Sequence, residues 1–558
     1  MLIQIWSFSP FPESSCHLNL REDGYNHSMR GFLSFAVFVA GVISLGVEFA
    51  ASRLLEAVFG TSNLVWAAVI GLILLYLAAG YFLGGKIADR FPAPRVFYRL
   101  LAWGGLIVAL VPVPARPLLY RAAAAFDRLQ LGPLLGAFVV VLMLLSVPVT
   151  LLGMIAPFAV RLAVRTTEET GRVAGRLYAL STLGSFLGTY LTVLLLIPGL
   201  GTRRTFILLG GVLVLTGIVG LLLSNQPRYA LRLLWMPFLV TWLYFGWAQG
   251  PIKGTPGQVY EAESAYNYIE VIERDGYRYL RLNEGQGIHS VYHPTVLQYN
   301  GAWMHFLAGP FLNEPPFLLA EVHRLAILGL AGGTVARQAT AIFGPIPIDG
   351  YEIDPKVLEV GRRYFGLDAL PNLRPYAMDA RVGLRRSPYR YDLIVVDAYR
   401  PPYIPWHLTT REFFGEVWQH LSTHGVLAIN VGRAGEDRCL QAALTATLLQ
   451  VFPTVYAMDV PGTLNTILYA TVQPADPANL EQNLALLLAN QQGGPLLWQA
   501  IADAVAYPAP MPVGDTIFTD DRAPVEALVN AMVLDFFLWR EIQTLGPVTE
   551  PSNPATGP

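Results

Sequence analysis

The chain is 558 residues long, 53% hydrophobic and only 14% charged, with a formal net charge of −2. That length holds more than one domain, and that apolar balance excludes an ordinary soluble protein of this size, so part of the chain belongs in a membrane. Near-neutral charge without a dense Lys/Arg run excludes nucleic acid as a partner, and the two cysteines, Cys16 and Cys439, support neither a disulfide framework nor a thiolate metal site.

Residues 1–29 mix Pro, Ser and charge, lack the small-residue cleavage site of a signal peptide, and are expected to form a disordered leader. From residue 30 to 250 the chain repeats apolar runs of about 18 to 25 residues, the length that crosses a hydrocarbon core as helix. Seven such runs cover 31–50, 63–83, 96–113, 134–159, 174–198, 204–224 and 232–249, which predicts an α-helical, multi-pass membrane bundle. The stretch "ARPLLYRAAAAFDRLQ" at 115–130 carries Arg and Asp too often to cross and reads as an interfacial amphipathic helix. Gly80 with Gly84, and Gly184 with Gly188, predict closely packed helices. Glu48 and Arg53 are ionisable groups near the end of the first run, where they fit either a functional cavity or the interface.

Basic residues fix the expected orientation. Arg21, Arg30, Lys86, Arg90, Arg95, Arg161, Arg165, Arg172, Arg176, Arg228 and Arg232 share the side of the N-terminus, against Arg53, Arg116, Arg121, Arg128, Arg203 and Arg204 opposite, so the N-terminus is expected to be cytoplasmic in the cell membrane. Seven crossings put everything after Gly250 on the far side; an even number returns it to the cytoplasm.

After Gly250 the pattern is that of a soluble protein. "YIEVIERDGYRYLRLNEG" (268–285) alternates apolar and polar residues around Asp275-Gly276, a β-hairpin signal, and predicts a small hairpin subdomain over 251–320. From 321 to 476, strands "RLAILGL", "IPIDGYEID", "YDLIVVDA" and "GVLAINVG", with another near Tyr376, alternate with helical segments, which predicts an α/β, Rossmann-like, doubly wound parallel sheet. Residues 477–558 show helical periods and a Pro-rich tail.

In such a sheet a ligand lies beyond the carboxyl ends of the strands. Gly329, Gly332 and Gly333 in "LGLAGGTVARQ" permit a tight turn and close approach of backbone to a ligand. Glu352 ends the second strand, where a carboxylate can accept both hydroxyls of a ribose; Asp379 follows the third strand and Asp397 the fourth. The dinucleotide fingerprint needs a glycine where this chain has Ala331, which favours a nucleoside without pyrophosphate, such as an S-adenosyl group. Each acid alone also fits a turn or a helix cap.

These residues resemble those of the spermidine synthases, the polyamine aminopropyltransferases. The resemblance runs from Glu263 to about Ala470, and "GYFLGGKIADR", "GRLYALSTLGSFLGTYLTVLLLIPGLG" and "FTDDRAPVE" resemble the branch of that family with an N-terminal membrane domain. It implies transfer of an aminopropyl group from decarboxylated S-adenosylmethionine to an amine, releasing methylthioadenosine, with a neutral amine attacking a carbon beside a sulfonium. By resemblance, Glu352 binds the ribose, Asp379 the adenine amino group, and Asp397 holds or deprotonates the attacking amine. Tyr292 and His293 in "SVYHP" are implied donor-side contacts, Asn267 stands where the family often has Gln, and Tyr399 and Arg400 belong to the acceptor-side loop.

Three departures bear on how the substrates are held, the family's glycine-loop Asp being the one that holds the aminopropyl ammonium. Gly332 occupies the place of the family's glycine-loop Asp, Arg400 that of the second acid in its Asp-x-x-Asp motif, and Pro294 follows Tyr-His in place of an acid. A guanidinium about 5 Å from an ammonium costs on the order of 3 kcal/mol at an effective dielectric near 20, which argues against the usual putrescine seat. Three readings stay open at this stage: an aminopropyltransferase with an altered acceptor, a methyl or other transferase using intact S-adenosylmethionine, and a non-catalytic nucleoside-binding sensor or transport-associated protein. No metal spacing is present, His305 and His407 read as structural or loop residues, and a homodimer is expected by resemblance.

Overall fold

A computed structural model of the chain describes residues 27–59, 63–115, 117–118, 133–248, 255–283, 287–399, 404–512 and 514–538. Nearly all of the expected leader, most of the 115–130 stretch, and Arg400 lie outside these residues.

The first half is helical. Six helical segments among the described residues are long and apolar enough to cross a membrane: Met29–Leu55, Val69–Arg90, Pro94–Ala115, Val139–Ala163, Thr170–Leu200 and Thr202–Leu223. They pair closely where glycine removes a side chain. Gly80 and Gly84 lie against Thr150, Gly153 and Met154, while Gly184 and Gly188 lie against the backbone of Phe38 and Val42. The run expected at 232–249 is not one continuous helix. It is built from Pro227–Leu233, Trp235–Trp242 and a π-helical turn, Leu243–Trp247. Pro237 has no N–H to give the Leu233 carbonyl, which accounts for the break. This broken segment still travels the length of the bundle, from Tyr229 beneath the Arg99 guanidinium to Trp247 beneath that of Arg203.

The second half carries two sheets. Strands β1 (Gln258–Glu263), β2 (Tyr268–Arg274), β3 (Tyr277–Leu282) and β4 (Ile288–Tyr292) form an antiparallel meander in sequence order. Its β2–β3 turn is the expected one, with Asp275 and Gly276 both at positive φ, 53° and 83°. Strands β5 (Leu325–Leu328), β6 (Ile348–Glu352), β7 (Leu373–Ala377), β8 (Tyr391–Val396), β9 (Leu421–Gly432), β10 (Thr454–Asp459) and β11 (Asn465–Thr471) form one sheet in the order β10-β11-β9-β8-β5-β6-β7. Strands β5 to β9 are parallel, and β10 and β11 close the sheet in antiparallel sense.

Side-chain alternation explains why the sheet is covered on both faces. Leu325 and Ile327 enter one apolar core, Ala326 and Leu328 the other. The chain runs outward from β5 to β7 and returns to β8 on the other side of β5, so the strand order reverses between β5 and β8. That reversal opens a crevice at the carboxyl ends of the strands, the place for a ligand in a doubly wound sheet.

The two halves touch at one end of the bundle. Arg53, near the C-terminal end of the helix His27–Phe59, donates to the carbonyls of Ser264 (2.5 Å) and Tyr266 (3.5 Å). The Glu263 carboxylate accepts from the Thr202 backbone N–H at 2.5 Å and from its hydroxyl, at the N-terminus of the helix Thr202–Leu223. Burial raises the Glu263 carboxyl above its ordinary value.

Candidate functional site

The loop leaving β5 forms the floor of the crevice. Gly329 takes φ 98°, and a Cβ there would stand 2.5 Å from the Ala398 nitrogen and 2.6 Å from the Asp397 carbonyl carbon, so only glycine lets this loop meet the end of β8. The Gly329 and Leu330 N–H groups both donate to the Tyr351 carbonyl at 2.9 Å. Gly333, φ 83°, starts the helix Thr334–Phe343. Gly332 donates its N–H to Ser290 Oγ at 2.8 Å, and a Cβ on it would lie 2.9 Å from Ser290 Cβ and 3.0 Å from the Phe365 ring. The position where the family carries an acid is therefore filled by β4 and has no room for a side chain.

Glu352 ends β6 and is buried. Its two oxygens accept the N–H groups of Ala331 (3.0 Å) and Asp354 (3.1 Å), tying the acid to the glycine loop. Burial pushes its carboxyl up to about 7, against the opposing pull of those N–H groups. Asp397, recessed at the end of β8, is pushed up to about 7 by burial as well, and the Asn430 amide, donating at 3.0 Å, offsets part of that. Tyr399 turns back so that its hydroxyl lies against Gly432 at the end of β9; burial raises that phenol, as does the nearby charge of Asp397. Glu352, the Gly329 loop, Asp397 and Tyr399 thus converge, and Asn430 joins them.

The other expected residues have partners of their own, and Asp379 follows β7, the strand that pairs with β6 at Glu352. Asp379 caps the helix Ala380–Arg386, accepting the Val382 N–H at 3.0 Å, and its second oxygen meets His407 Nε2 at 2.9 Å. The His407 bond holds its carboxyl below the usual range. Asn267 gives its amide N–H to Asp354 at 2.9 Å and accepts from Asn283 at 3.1 Å, inside a buried polar network that includes Ser264. Tyr292 packs against Phe365, with the Arg337 guanidinium 4.0 Å from its ring centre. His293 caps its own turn, Nδ1 accepting the Val296 N–H at 3.0 Å, beside the Tyr277 ring. The residue of β4 that reaches the glycine loop is Ser290. His289, one position earlier, lies beside the backbone of Gly287 and Tyr399; burial lowers its imidazole to about 4, so it is neutral.

Sequence reasoning missed Asn430, Ser290, His289 and the role of His407. Asn430 was within reach, since extending the strand-end rule from the fourth parallel strand to the fifth finds it. Ser290 had no signal of its own. Among the described residues no group of three or more His, Cys, Asp or Glu side chains could hold a metal ion.

Comparison with known proteins meets this geometry. No family model matches the chain. A "probable polyamine aminopropyl transferase" of Bifidobacterium longum is 31% identical over 288 residues, 48% of this chain and 61% of the relative, so the chain spans less than two thirds of that protein. The "polyamine aminopropyltransferase" of Vibrio vulnificus is 32% identical over 218 residues, 36% of this chain and 68% of the relative. A human "eEF1A lysine and N-terminal methyltransferase" is 29% identical over 197 residues, 32% of this chain and 28% of the relative. The second of these matches covers more than two thirds of a curated relative, and with it the chain belongs to the polyamine aminopropyltransferase family, the spermidine synthases.

Proposed function

We propose that the chain is a membrane-embedded aminopropyltransferase that uses decarboxylated S-adenosylmethionine and an amine acceptor other than the usual diamine. The observation that carries this reading is Asp397: a recessed carboxyl at the strand reversal, with one neutral amide for company and an affinity for protons near neutrality. A group so placed can bind an amine, take its proton as the new C–N bond forms, and leave methylthioadenosine as the other product. Glu352 supports the donor half, because its ionised carboxylate, anchored to Ala331 and Asp354, keeps acceptor capacity for ribose hydroxyls. Arg400 in place of the second acid of the Asp-x-x-Asp motif supports an altered acceptor, and the packed site at Gly332 leaves no acid there to hold the donor's aminopropyl ammonium. The six apolar helices support embedding in a membrane.

The likeness to the human methyltransferase favours one second reading, methyl transfer from intact S-adenosylmethionine. One experiment separates the two. The detergent-purified chain is incubated with decarboxylated or intact S-adenosylmethionine and a panel of amines, and the released nucleoside is identified by mass spectrometry. Amine-dependent methylthioadenosine release that is lost in Asp397→Asn is the expected result. S-adenosylhomocysteine in its place would establish the methyltransferase reading, and neither product would remove both.

A further inference from the structure

The contact between Asp379 and His407 joins parts of the crevice that stand far apart in the sheet. In the order β8-β5-β6-β7, the strand ends present Asp397, the Gly329 loop, Glu352 and Asp379 along one edge. At about 4.8 Å between neighbouring strands, the strand before Asp379 lies roughly 14 Å from the strand before Asp397. His407 belongs to the segment that follows Asp397, yet its ring stands at the β7 end, with Nε2 2.9 Å from Asp379 Oδ2. A nucleoside with its ribose on Glu352 and its sulfur toward Asp397 carries its base outward to β7, where this pair stands.

The pair is open enough to meet a ligand. Each side chain keeps 30% exposure. Asp379 Oδ1 accepts the Val382 N–H at 3.0 Å and Oδ2 faces His407, which uses two of the roughly four lone-pair positions of a carboxylate and leaves two. An ionised carboxylate only accepts, so the His407 nitrogen that faces it carries the proton. That bond is the main reason the Asp379 carboxyl lies below its usual range, and Asp379 therefore meets a ligand as an acceptor of N–H groups.

His407 is in turn held from behind. Arg381, a buried side chain, donates Nη1 to the His407 carbonyl at 3.1 Å. The same guanidinium makes a bidentate pair with Asp520, 2.8 Å for each bond, and bonds Glu416 of the helix Arg411–His420. The Thr410 hydroxyl donates to Asp520 at 2.7 Å. Asp520 belongs to "FTDDRAPVE", a stretch for which the crevice acids supply no task. A bidentate ion network that pins the main chain of one residue, while its side chain reaches a strand-end acid, is the support that fixes a binding group in a productive direction.

We propose that His407 is a positioning residue for the nucleoside donor: its ring N–H aims the Asp379 carboxylate at the exocyclic amino group of an adenine base. Resting on the transfer reading above, this role selects the donor by its base, whereas Asp397 acts at the other end of the crevice. It also gives the C-terminal stretch a purpose, since Asp520 and Glu416 together hold the guanidinium on which His407 rests.

The test is equilibrium binding of two nucleosides to the full chain in lipid nanodiscs, without any amine: methylthioadenosine, and its analogue with hydrogen in place of the 6-amino group. The parent is expected to prefer methylthioadenosine roughly tenfold or more, as one charge-assisted hydrogen bond requires. In His407→Ala that preference is expected to shrink to about twofold, through weaker methylthioadenosine binding with the analogue unaffected. His407→Gln, whose amide can place an N–H where Nε2 stands, is expected to restore most of it. Asp379→Ser keeps a helix-capping hydroxyl but loses the preference, and adding His407→Ala then costs nothing more. Equal weakening of both nucleosides in His407→Ala, an unchanged preference, or a parent without one would overturn the role. Its failure differs from failure of the transfer reading. Amine-dependent methylthioadenosine release with a base preference that ignores His407 sinks the positioning role alone, whereas a His407-dependent preference without nucleoside release from any amine sinks transfer alone.

Discussion

Glu352 makes a prediction about stability that needs no ligand. Burial raises its carboxyl from 4.5 to about 7. A carboxyl whose folded value lies above its unfolded value is protonated in both states at low pH; as pH rises past 4.5 the unfolded chain ionises first, and folding loses free energy until pH passes about 7. The difference of roughly 2.5 units corresponds to about 3 kcal/mol, or roughly 5 to 10 °C in the midpoint of a domain this size. Glu352→Gln removes that slope and replaces it by a constant penalty. The Gln carbonyl can accept from Ala331 or from Asp354, but its NH2 then faces the other N–H, an unmade bond that costs about 1 to 3 kcal/mol at any pH. The expected outcome, in thermal unfolding of the full chain in detergent, is that the parent loses about 3 kcal/mol between pH 4.5 and 7 and the variant does not, so the variant's deficit is greatest at low pH and shrinks or reverses above pH 7. Asp397, raised in the same direction, leaves a residual slope in the variant that Glu352→Gln/Asp397→Asn flattens. Parallel pH profiles for the parent and Glu352→Gln would refute the claim that burial holds this carboxyl up.

Two further outcomes bear on the crevice. In Asp397→Asn, turnover at saturating amine is expected to fall by about 10² to 10⁴, and the parent's turnover should rise with pH to a plateau above about 7, because the acid must be ionised to accept the amine's proton; loss of that limb in the variant is the check. Gly332→Asp restores the family's acid in sequence, yet its side chain meets Ser290 and Phe365, so a loss of roughly 1 to 3 kcal/mol in stability is expected with no gain in use of decarboxylated S-adenosylmethionine, read by thermal melting and product analysis.

The legible parts of the site are those set by backbone. Gly329 and Gly333 are demanded by a turn between an apolar strand and a helix, and Glu352 and Asp397 by their places at strand ends, all local patterns. Where a side chain points depends on partners far away in sequence. Asn267 is read only by resemblance, and nothing local shows that its amide bonds Asp354, 87 residues on, and Asn283. Tyr292 ends β4 and His293 follows it, Tyr292 packs against Phe365 of the helix Pro355–Phe365, and the β4 residue that reaches the glycine loop is Ser290. Asp379 keeps the helix-cap role open to it from the start, with His407 as a partner no spacing rule suggests. In the helical half hydropathy located the runs, but it does not register that Pro237 interrupts the seventh, because proline at that position alters hydrogen bonding more than polarity.

The orientation of the chain supplies the last prediction. The soluble half docks on Arg53 and Thr202, both at the end of the bundle opposite His27, and the broken segment 227–247 carries the chain across to that end. Lys86, Arg90, Arg95, Arg161, Arg165, Arg172, Arg176, Arg228 and Arg232 gather at the His27 end, which the positive-inside rule assigns to the cytoplasm. On that rule the crevice is expected beyond the membrane. Cys439, exposed at the start of the helix Cys439–Leu448, reports on this directly. In a Cys16→Ser background a membrane-impermeant maleimide is expected to label Cys439 in intact cells. Protection until the cells are permeabilised would invert the orientation and leave the crevice beside the cytoplasmic pool of adenosyl donors. Labelling from outside would instead require the donor to come from beyond the membrane or through the helical half, and would make a substrate-handling role for that half a necessity of the chemistry.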